Sequence, residues 1–441
     1  MYYEREIDAA LAAWKSEPDR KPLMLRGARQ TGKTSAVRHL AESFRHFLAV
    51  DFERDSTAQS FFAGDFDIPA ICEKLEMRFG VPLADGESLL FFDEIHACPR
   101  AIEALRYFYE ERPGLHVVAT GSLLDFAFRE IGDFGVWRIR NAFLHPFAFR
   151  DFLEVLGERQ LLDGARRCGF DRPLDPALHE RLLDHLKTFL VVGGMPAVVA
   201  KYARTRSLLA AQREQDDILV SLKADFGKYK KRVPPERIRA SLASVVRQTG
   251  GKFVFTDPAA GLDSRKGKEA VELLELARLV VRATASRANG VPLGGDVDPK
   301  CVKFLLLDTG LYLRESGLAV SEWIADPPGK FVNRGCLAEL FAGLELAKAG
   351  DPWTEPQLFY WQRETRGSNA EVDYLVQNGE SIVPVEVKSG TSGSMQSMHL
   401  FLREKRAPVG LRVSQENFAA YGDIRVLPLY LAGEWRRFFR T

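Results

Sequence analysis

Paired cysteines, an excess of one charge and long apolar runs are all missing from this chain, and each absence removes a class of protein. The five cysteines, Cys72, Cys98, Cys168, Cys301 and Cys336, include no CxxC pair. That excludes a paired-cysteine zinc site and argues for reduced thiols over a secreted disulfide framework. A formal net charge of +1 excludes a globally basic chain, so any nucleic-acid surface has to come from local clustering. No stretch approaches the roughly 18 apolar residues of a membrane-spanning helix. The opening "MYYEREIDAALAAWKSEPDR" mixes acids and bases where a secretory signal needs an apolar run. The expectation is a cytoplasmic protein with no integral membrane segment.

What remains is ordinary globular composition: 441 residues, 46% hydrophobic and 27% charged, with a mean hydropathy of -0.16. At roughly 150 residues per domain the length allows about three domains.

The most informative stretch is "PLMLRGARQTGKTSAVRHLAESF", an apolar strand, a glycine turn and a helical pattern. Gly27, Gly32, Lys33 and Thr34 satisfy the GxxxxGK[ST] spacing in the context that gives it meaning. Backbone N–H groups over Gly27, Ala28, Arg29, Gln30, Thr31, Gly32, Lys33, Thr34 and Ser35 can cradle the phosphates of ATP. Lys33 reaches the outer phosphates and the Thr34 hydroxyl can ligate Mg2+. A second apolar run, "SLLFFDEIHACP", ends in Asp93 and Glu94. At the carboxyl end of a central strand the first acid can hold magnesium through water, and the second can polarise the attacking water. His96 reads either as a local hydrogen-bonding residue or as a coupling residue.

A third strand, "LHVVATGS", ends in Thr120, Gly121 and Ser122. A small polar side chain there can sense the terminal phosphate, with Ser122 favoured over Thr120, or cap the following helix. Beyond it, Arg129 and Arg138 are candidates for the arginine that a neighbouring subunit supplies to ring-forming P-loop ATPases.

With "LRGARQTGKT", "FFDEIH", "ATGS", "LHPFAFRDFL" (144–153) and "VVGGMPAVV" (191–199) in hand, the chain resembles the bacterial and archaeal AAA-superfamily ATPases that end in a domain of unknown function. The resemblance implies an ATPase core, a helical lid, a winged-helix-like segment and a nuclease-like last domain. It departs at His96, where that family commonly carries glutamine.

The middle of the chain is helical from Leu153 to about Leu222, with Gly193, Gly194 and Pro196 marking a helix end and a tight reversal. The run "FGKYKKRVPPERIR" (226–239) is basic and reads as a phosphate-contacting segment or as a charged linker. Residues 236–325 follow as helices and a strand pair, the order of a winged helix, which can read DNA or bind protein.

After the punctuated "DPPGKFVNRG" come a helix carrying Glu339 and the strands "AEVDYLVQNGE" and "SIVPVEVKSG", joined at a turn containing Asn378 and Gly379. Glu386 and Lys388 are two apart and share a face. Two carboxylates meeting at a strand pair can hold magnesium, and a lysine beside them can stabilise charge on phosphorus. The D…ExK set of Asp373, Glu386 and Lys388 resembles the restriction-endonuclease-like fold, with Glu339 matching the extra acid of its first helix. Trp361 and Gln362 are candidates to support the site or to stack on a base. The same fold also serves as an inactive DNA-binding or protein-binding module.

The expected architecture is α/β: an AAA-type P-loop core (1–150), a helical lid (151–230), a winged-helix-like domain (231–325) and a restriction-endonuclease-like domain (326–441). The expected function is ATP binding and hydrolysis with Mg2+, acting on DNA through a candidate nuclease domain. The alternative is a regulatory or assembly ATPase whose last domain is a non-catalytic docking module. DNA, a protein partner and self-association into an oligomer are the partners these readings require.

Overall fold

The computed structural model describes residues 2–122, 124–131, 138–229, 232–257, 261–317, 335–364, 369–391 and 393–439. The chain divides into two compact units. The first is Met1–His145 with the short segments Leu276–Arg278 and Asp351–Glu355; the second is Pro146–Glu275, Leu279–Gly350 and Pro356–Thr441.

The first unit is built on five strands: β1 (Leu23–Arg26), β2 (His46–Asp51), β3 (Ser88–Asp93), β4 (His116–Thr120) and β5 (Arg140–Phe143). They lie in the order β2-β3-β4-β1-β5 and every pairing is parallel. Parallel strands are covered on both faces, which explains why "SLLFFD" and "HVVAT" are apolar almost throughout. Met24, Leu90, Phe92 and Val117 pack into one core cluster, and Leu23, Leu25, Leu89, Phe91 and Val118 into another. The register sets Leu25 opposite Thr120 and Asp51 opposite Asp93. The strands therefore finish together, and their carboxyl ends form one rim on which polar residues gather.

His116 begins β4 with its ring edge-on to Trp14 and Phe44, at 5.8 and 4.7 Å, and its Nε2 3.1 Å from the Lys15 carbonyl. Burial pulls its pKa down to about 4. Above pH 6.5 the ring is neutral in both states, whereas below it the unfolded chain takes up a proton that the folded chain refuses. Stability of this unit is expected to fall as pH drops from about 6.5 towards 4. Urea midpoints of wild type and His116→Phe across that interval check this; the variant should show the shallower decline.

In the second unit every named element between residues 149 and 229 is helical, including Pro176–Val192, Pro196–Thr205 and Leu208–Asp225. The reversal read from the glycines is present: Gly193, at φ 72°, ends the first of these, and Pro196 opens the second. Phe147 N–H donates to the Gly194 carbonyl at 2.7 Å and Gly194 N–H to Asp308 Oδ2 at 2.5 Å. Gln215 Nε2 caps the Val191 and Val192 carbonyls at 2.7 and 2.9 Å.

Eight strands form the second sheet: β6 (Val280–Ser286), β7 (Val297–Leu306), β8 (Leu358–Gln362), β9 (Glu371–Asn378), β10 (Ser381–Val387), β11 (Gly410–Ser414), β12 (Ala419–Tyr421) and β13 (Ile424–Pro428). Their order is β12-β13-β11-β10-β9-β8-β6-β7. Helices Pro235–Arg247 and Ser264–Leu276 precede the antiparallel pair β6–β7, and β6 also pairs in parallel with β8. The segments 231–325 and 326–441, separated in the sequence reading, thus share one continuous sheet. Strand propensity was legible there, but the partner of β6 was not, because pairing is a long-range choice. The linker 326–334 lies outside the described residues.

Candidate active site

The loop between β1 and helix Lys33–Ala41 is shaped by backbone demands. A Cβ at Gly27 would sit 2.3 Å from the Leu144 carbonyl oxygen, so only glycine fits. Gly32 takes φ 94° as it enters the helix. Thr31 Oγ1 ties the loop to Ala28 O at 2.8 Å. Lys33 is buried and its ammonium donates to the Gly27 and Ala28 carbonyls at 2.9 and 2.8 Å. Burial pulls it down to about 8 against the opposing pull of Glu94 and Asp93. A cation folded onto its own loop and short of solvent is one that an arriving phosphate would stabilise.

On the facing strand end, Asp93 Oδ2 accepts the Thr34 hydroxyl at 2.9 Å, while Oδ1 accepts Thr120 Oγ1. Thr34 and Asp93 are the hard-oxygen pair that Mg2+ would use, and their contact brings both donors to one point. The residues therefore fit the ion. Glu94 has φ 47°, an uncommon conformation for a non-glycine residue and one that recurs at functional sites. Its Oε2 accepts Ser122 N–H at 3.0 Å and Ser122 Oγ at 3.3 Å, and lies 3.2 Å from His96 Nδ1. Burial would raise its pKa, but His96, Ser122 N–H and Lys33 outweigh that and hold it down at about 2. Glu94 is thus an ionised carboxylate aimed by the neighbouring strand.

Of the residues singled out in sequence, Lys33, Thr34, Asp93, Glu94 and Ser122 share this rim. Thr120, the less favoured of the two small polar residues, also reaches it, through Asp93. Arg138 stands before the start of β5, 2.5 Å from Glu110, at the end of the sheet opposite the loop. Arg129 belongs to helix Leu124–Ile131, and its side chain lies outside the described residues. Sequence reasoning missed Arg278, which is 2.8 Å from Asp125 and 4.8 Å from the Phe143 ring. Asp125 also pairs with Arg26, the residue before Gly27. Nothing local in the sequence links Arg278 to the loop.

In the second unit, Glu339 and Glu386 each feel the charge of Asp373. Glu386 Oε1 accepts Lys388 Nζ at 2.7 Å and Asp373 Oδ2 accepts Val387 N–H at 2.7 Å. Burial, reinforced by the Asp373 charge, pushes Glu339 and Glu386 up, against the opposing pull of Lys303 on Glu339 and of Lys388 on Glu386. The sequence reading overlooked Lys303 of β7, whose Nζ is 2.8 Å from Glu339 Oε1 and 2.5 Å from Glu371 Oε1. Among the described residues no three Asp, Glu, His or Cys side chains form a metal-holding group. Trp361 is buried edge-on against Phe401 at 5.2 Å, which rules out stacking on a base. In the basic run, Lys228 is 3.7 Å from Asp225, Arg237 3.6 Å from Glu269 and Arg239 3.8 Å from Glu236; Lys230 and Lys231 lie outside the described residues.

Residues 19–153 match the model of the AAA domain. The chain carries an AAA domain. That match takes in every strand of the first sheet and Lys33, Thr34, Asp93, Glu94, Thr120 and Ser122. Residues 183–322 and 334–432 match two domains of unknown function, DUF8612 and DUF4143. No curated protein matches the sequence. Among solved structures, the chain is similar to the Walker-type ATPase of Pyrococcus abyssi, at 15% identity over 71% of this chain and 96% of that one, with a TM-score of 0.46. The Aeropyrum pernix Orc1 protein in complex with DNA is 14% identical over 74% and 94% of the two chains, with a TM-score of 0.29. Drosophila ORC bound to DNA is 16% identical over 70% and 84%, with a TM-score of 0.27. Among the described residues no helix is long and apolar enough to cross a membrane.

Proposed function

We propose that the AAA domain binds ATP with Mg2+ and hydrolyses it. The observation that carries this is the convergence of Thr34, Asp93 and Glu94 on one rim, with Thr34 Oγ1 2.9 Å from Asp93 and Glu94 held by Ser122 N–H at 3.0 Å. Mg2+ on Thr34 and Asp93 would neutralise charge on the phosphates. Lys33 leaves the Gly27 and Ala28 carbonyls for the outer phosphates, and loop N–H groups hold the rest. Glu94, ionised and oriented, accepts a hydrogen bond from the attacking water. Ser122 links Glu94 to β4, where the terminal phosphate can be sensed. The test is phosphate release by the purified chain with Mg2+, alongside ATP-dependent thermal stabilisation. Both should vanish in Lys33→Ala; hydrolysis that survives this substitution would reject the site.

For the last sheet, the reading in which the ATPase acts on DNA with a magnesium-dependent nuclease draws its support from the approach of Glu339, Asp373, Glu386 and Lys388. A specific observation favours the other reading, a nucleotide-dependent ATPase whose last domain docks on DNA or protein without cutting: Lys303 already pairs with Glu339, and with Glu371 beside it. Self-association belongs to both readings, with Arg129 or Arg138 as the residue offered to a neighbour. Light scattering with and without ATP checks it.

A further inference from the structure

The carboxylates of the second sheet sit around a cation that the chain itself provides. Lys303 has a side chain 1% exposed, between Glu339 of helix Gly335–Lys348 at 2.8 Å and Glu371 of β9 at 2.5 Å. Its Nζ lies 5.0 Å from the centre of the Tyr360 ring. A buried ammonium persists only where opposite charge surrounds it, and here carboxylates from two other elements do so.

A divalent ion needs about six oxygen ligands, and Mg2+ takes them in a strict octahedron. One oxygen of each of the three carboxylates is committed elsewhere. Glu339 Oε1 is on Lys303, Asp373 Oδ2 is on Val387 N–H, and Glu386 Oε1 is on Lys388. Glu386 Oε2 alone of these carboxylates' oxygens is a buried atom without a hydrogen-bond partner. A metal bound there would also approach a desolvated ammonium, and like charges at short range in a poorly solvated site repel strongly. The residues present do not fit the metal that the nuclease reading requires.

We infer that Lys303 is a resident counter-ion occupying the place of a divalent metal, which makes the carboxylate cluster a metal-independent fastening between β7, β9 and helix Gly335–Lys348. This rests on the docking reading of the last sheet and is independent of ATP hydrolysis. It also explains why β7 belongs to this sheet: its lysine neutralises acids that the other strands and the helix bring in.

The test is Mn2+ titration, followed by electron paramagnetic resonance, of the nucleotide-free full chain carrying Lys33→Ala to silence the AAA site. With Lys303 intact, no Mn2+ should be held up to about 1 mM, the weak end of protein divalent-ion sites. Lys303→Met, which keeps the chain length and removes the charge, should gain an Mn2+ site that Asp373→Asn abolishes. In metal-free buffer this variant should melt lower by roughly 10 °C, with Mn2+ recovering part of the loss.

Mn2+ held by the Lys303-intact protein and lost on Asp373→Asn overturns the inference, and that measurement stands even if Lys303→Met fails to fold. A folded Lys303→Met that binds no Mn2+ overturns it too. DNA cleavage abolished by Asp373→Asn in the Lys303-intact protein would reject the docking reading itself, whereas Mn2+ binding without cleavage removes only the counter-ion.

Discussion

Glu94→Gln is expected to lower ATP turnover by roughly 10²- to 10⁴-fold, the range for losing a positioned base, while leaving ATP affinity nearly unchanged. The amide keeps the shape of the side chain and can still accept the Ser122 N–H, which lies 3.0 Å from Oε2 in the wild type. What it loses is the negative charge. Lys33, Thr34 and Asp93, the groups proposed to hold nucleotide, are untouched. The change should therefore appear in kcat and not in binding. Lys33→Ala should behave oppositely, losing affinity first. Single-turnover phosphate release and nucleotide retention on the two variants separate the effects. Turnover within a few-fold of wild type in Glu94→Gln would mean another group activates water.

The second large effect is structural. Gly194→Ala should destabilise the second unit by about 3 kcal/mol or more, because the added methyl has nowhere to go. A Cβ at Gly194 would lie 2.1 Å from the Phe147 carbonyl oxygen and 3.0 Å from Phe147 N. Backbone cannot swing aside as a long side chain can. The same residue donates to Asp308 Oδ2 at 2.5 Å and accepts from Phe147 N–H at 2.7 Å, so a shift that relieves the clash breaks both bonds. Asp308 is wholly buried and also caps Leu311 N–H at 2.8 Å, which spreads the cost to helix Thr309–Glu315. Gly169→Ala, where a Cβ meets nothing within 4 Å, is the control and should stay within about 0.5 kcal/mol. Denaturant melts with tryptophan fluorescence measure both. Equal midpoints for the two variants would show that the 147–194 contact yields readily.

Several parts of this molecule were readable from short stretches of chain. "LRGARQTGKT" specifies its loop because the glycine spacing, the positive φ at Gly32 and the helix start lie within ten residues. "FFDEIH" and "ATGS" were placed for the same reason: an apolar run ending in a polar residue marks the end of a buried parallel strand. Choosing between Thr120 and Ser122 was harder. Both are used, Thr120 on Asp93 and Ser122 on Glu94, and this follows from the register of β4 against its neighbours. Strand periodicity places Glu386 and Lys388 on one face, and they meet at 2.7 Å.

By itself, then, the sequence determined the nucleotide loop, the acids that face it, the helical character of the middle and the hairpin that carries Asp373 and Glu386. Each depends on backbone geometry or side-chain period within one contiguous segment. Only the tertiary structure decided that β6 and β7 join the last sheet, that Arg278 stands beside Asp125, and that Lys303 lies among Glu339 and Glu371. Those are pairings between distant segments, and a buried charge acquires its meaning from the groups that replace its water. A lysine in "PKCVKFLLLD" reads as one more solvated strand residue until β7, β9 and helix Gly335–Lys348 close around it.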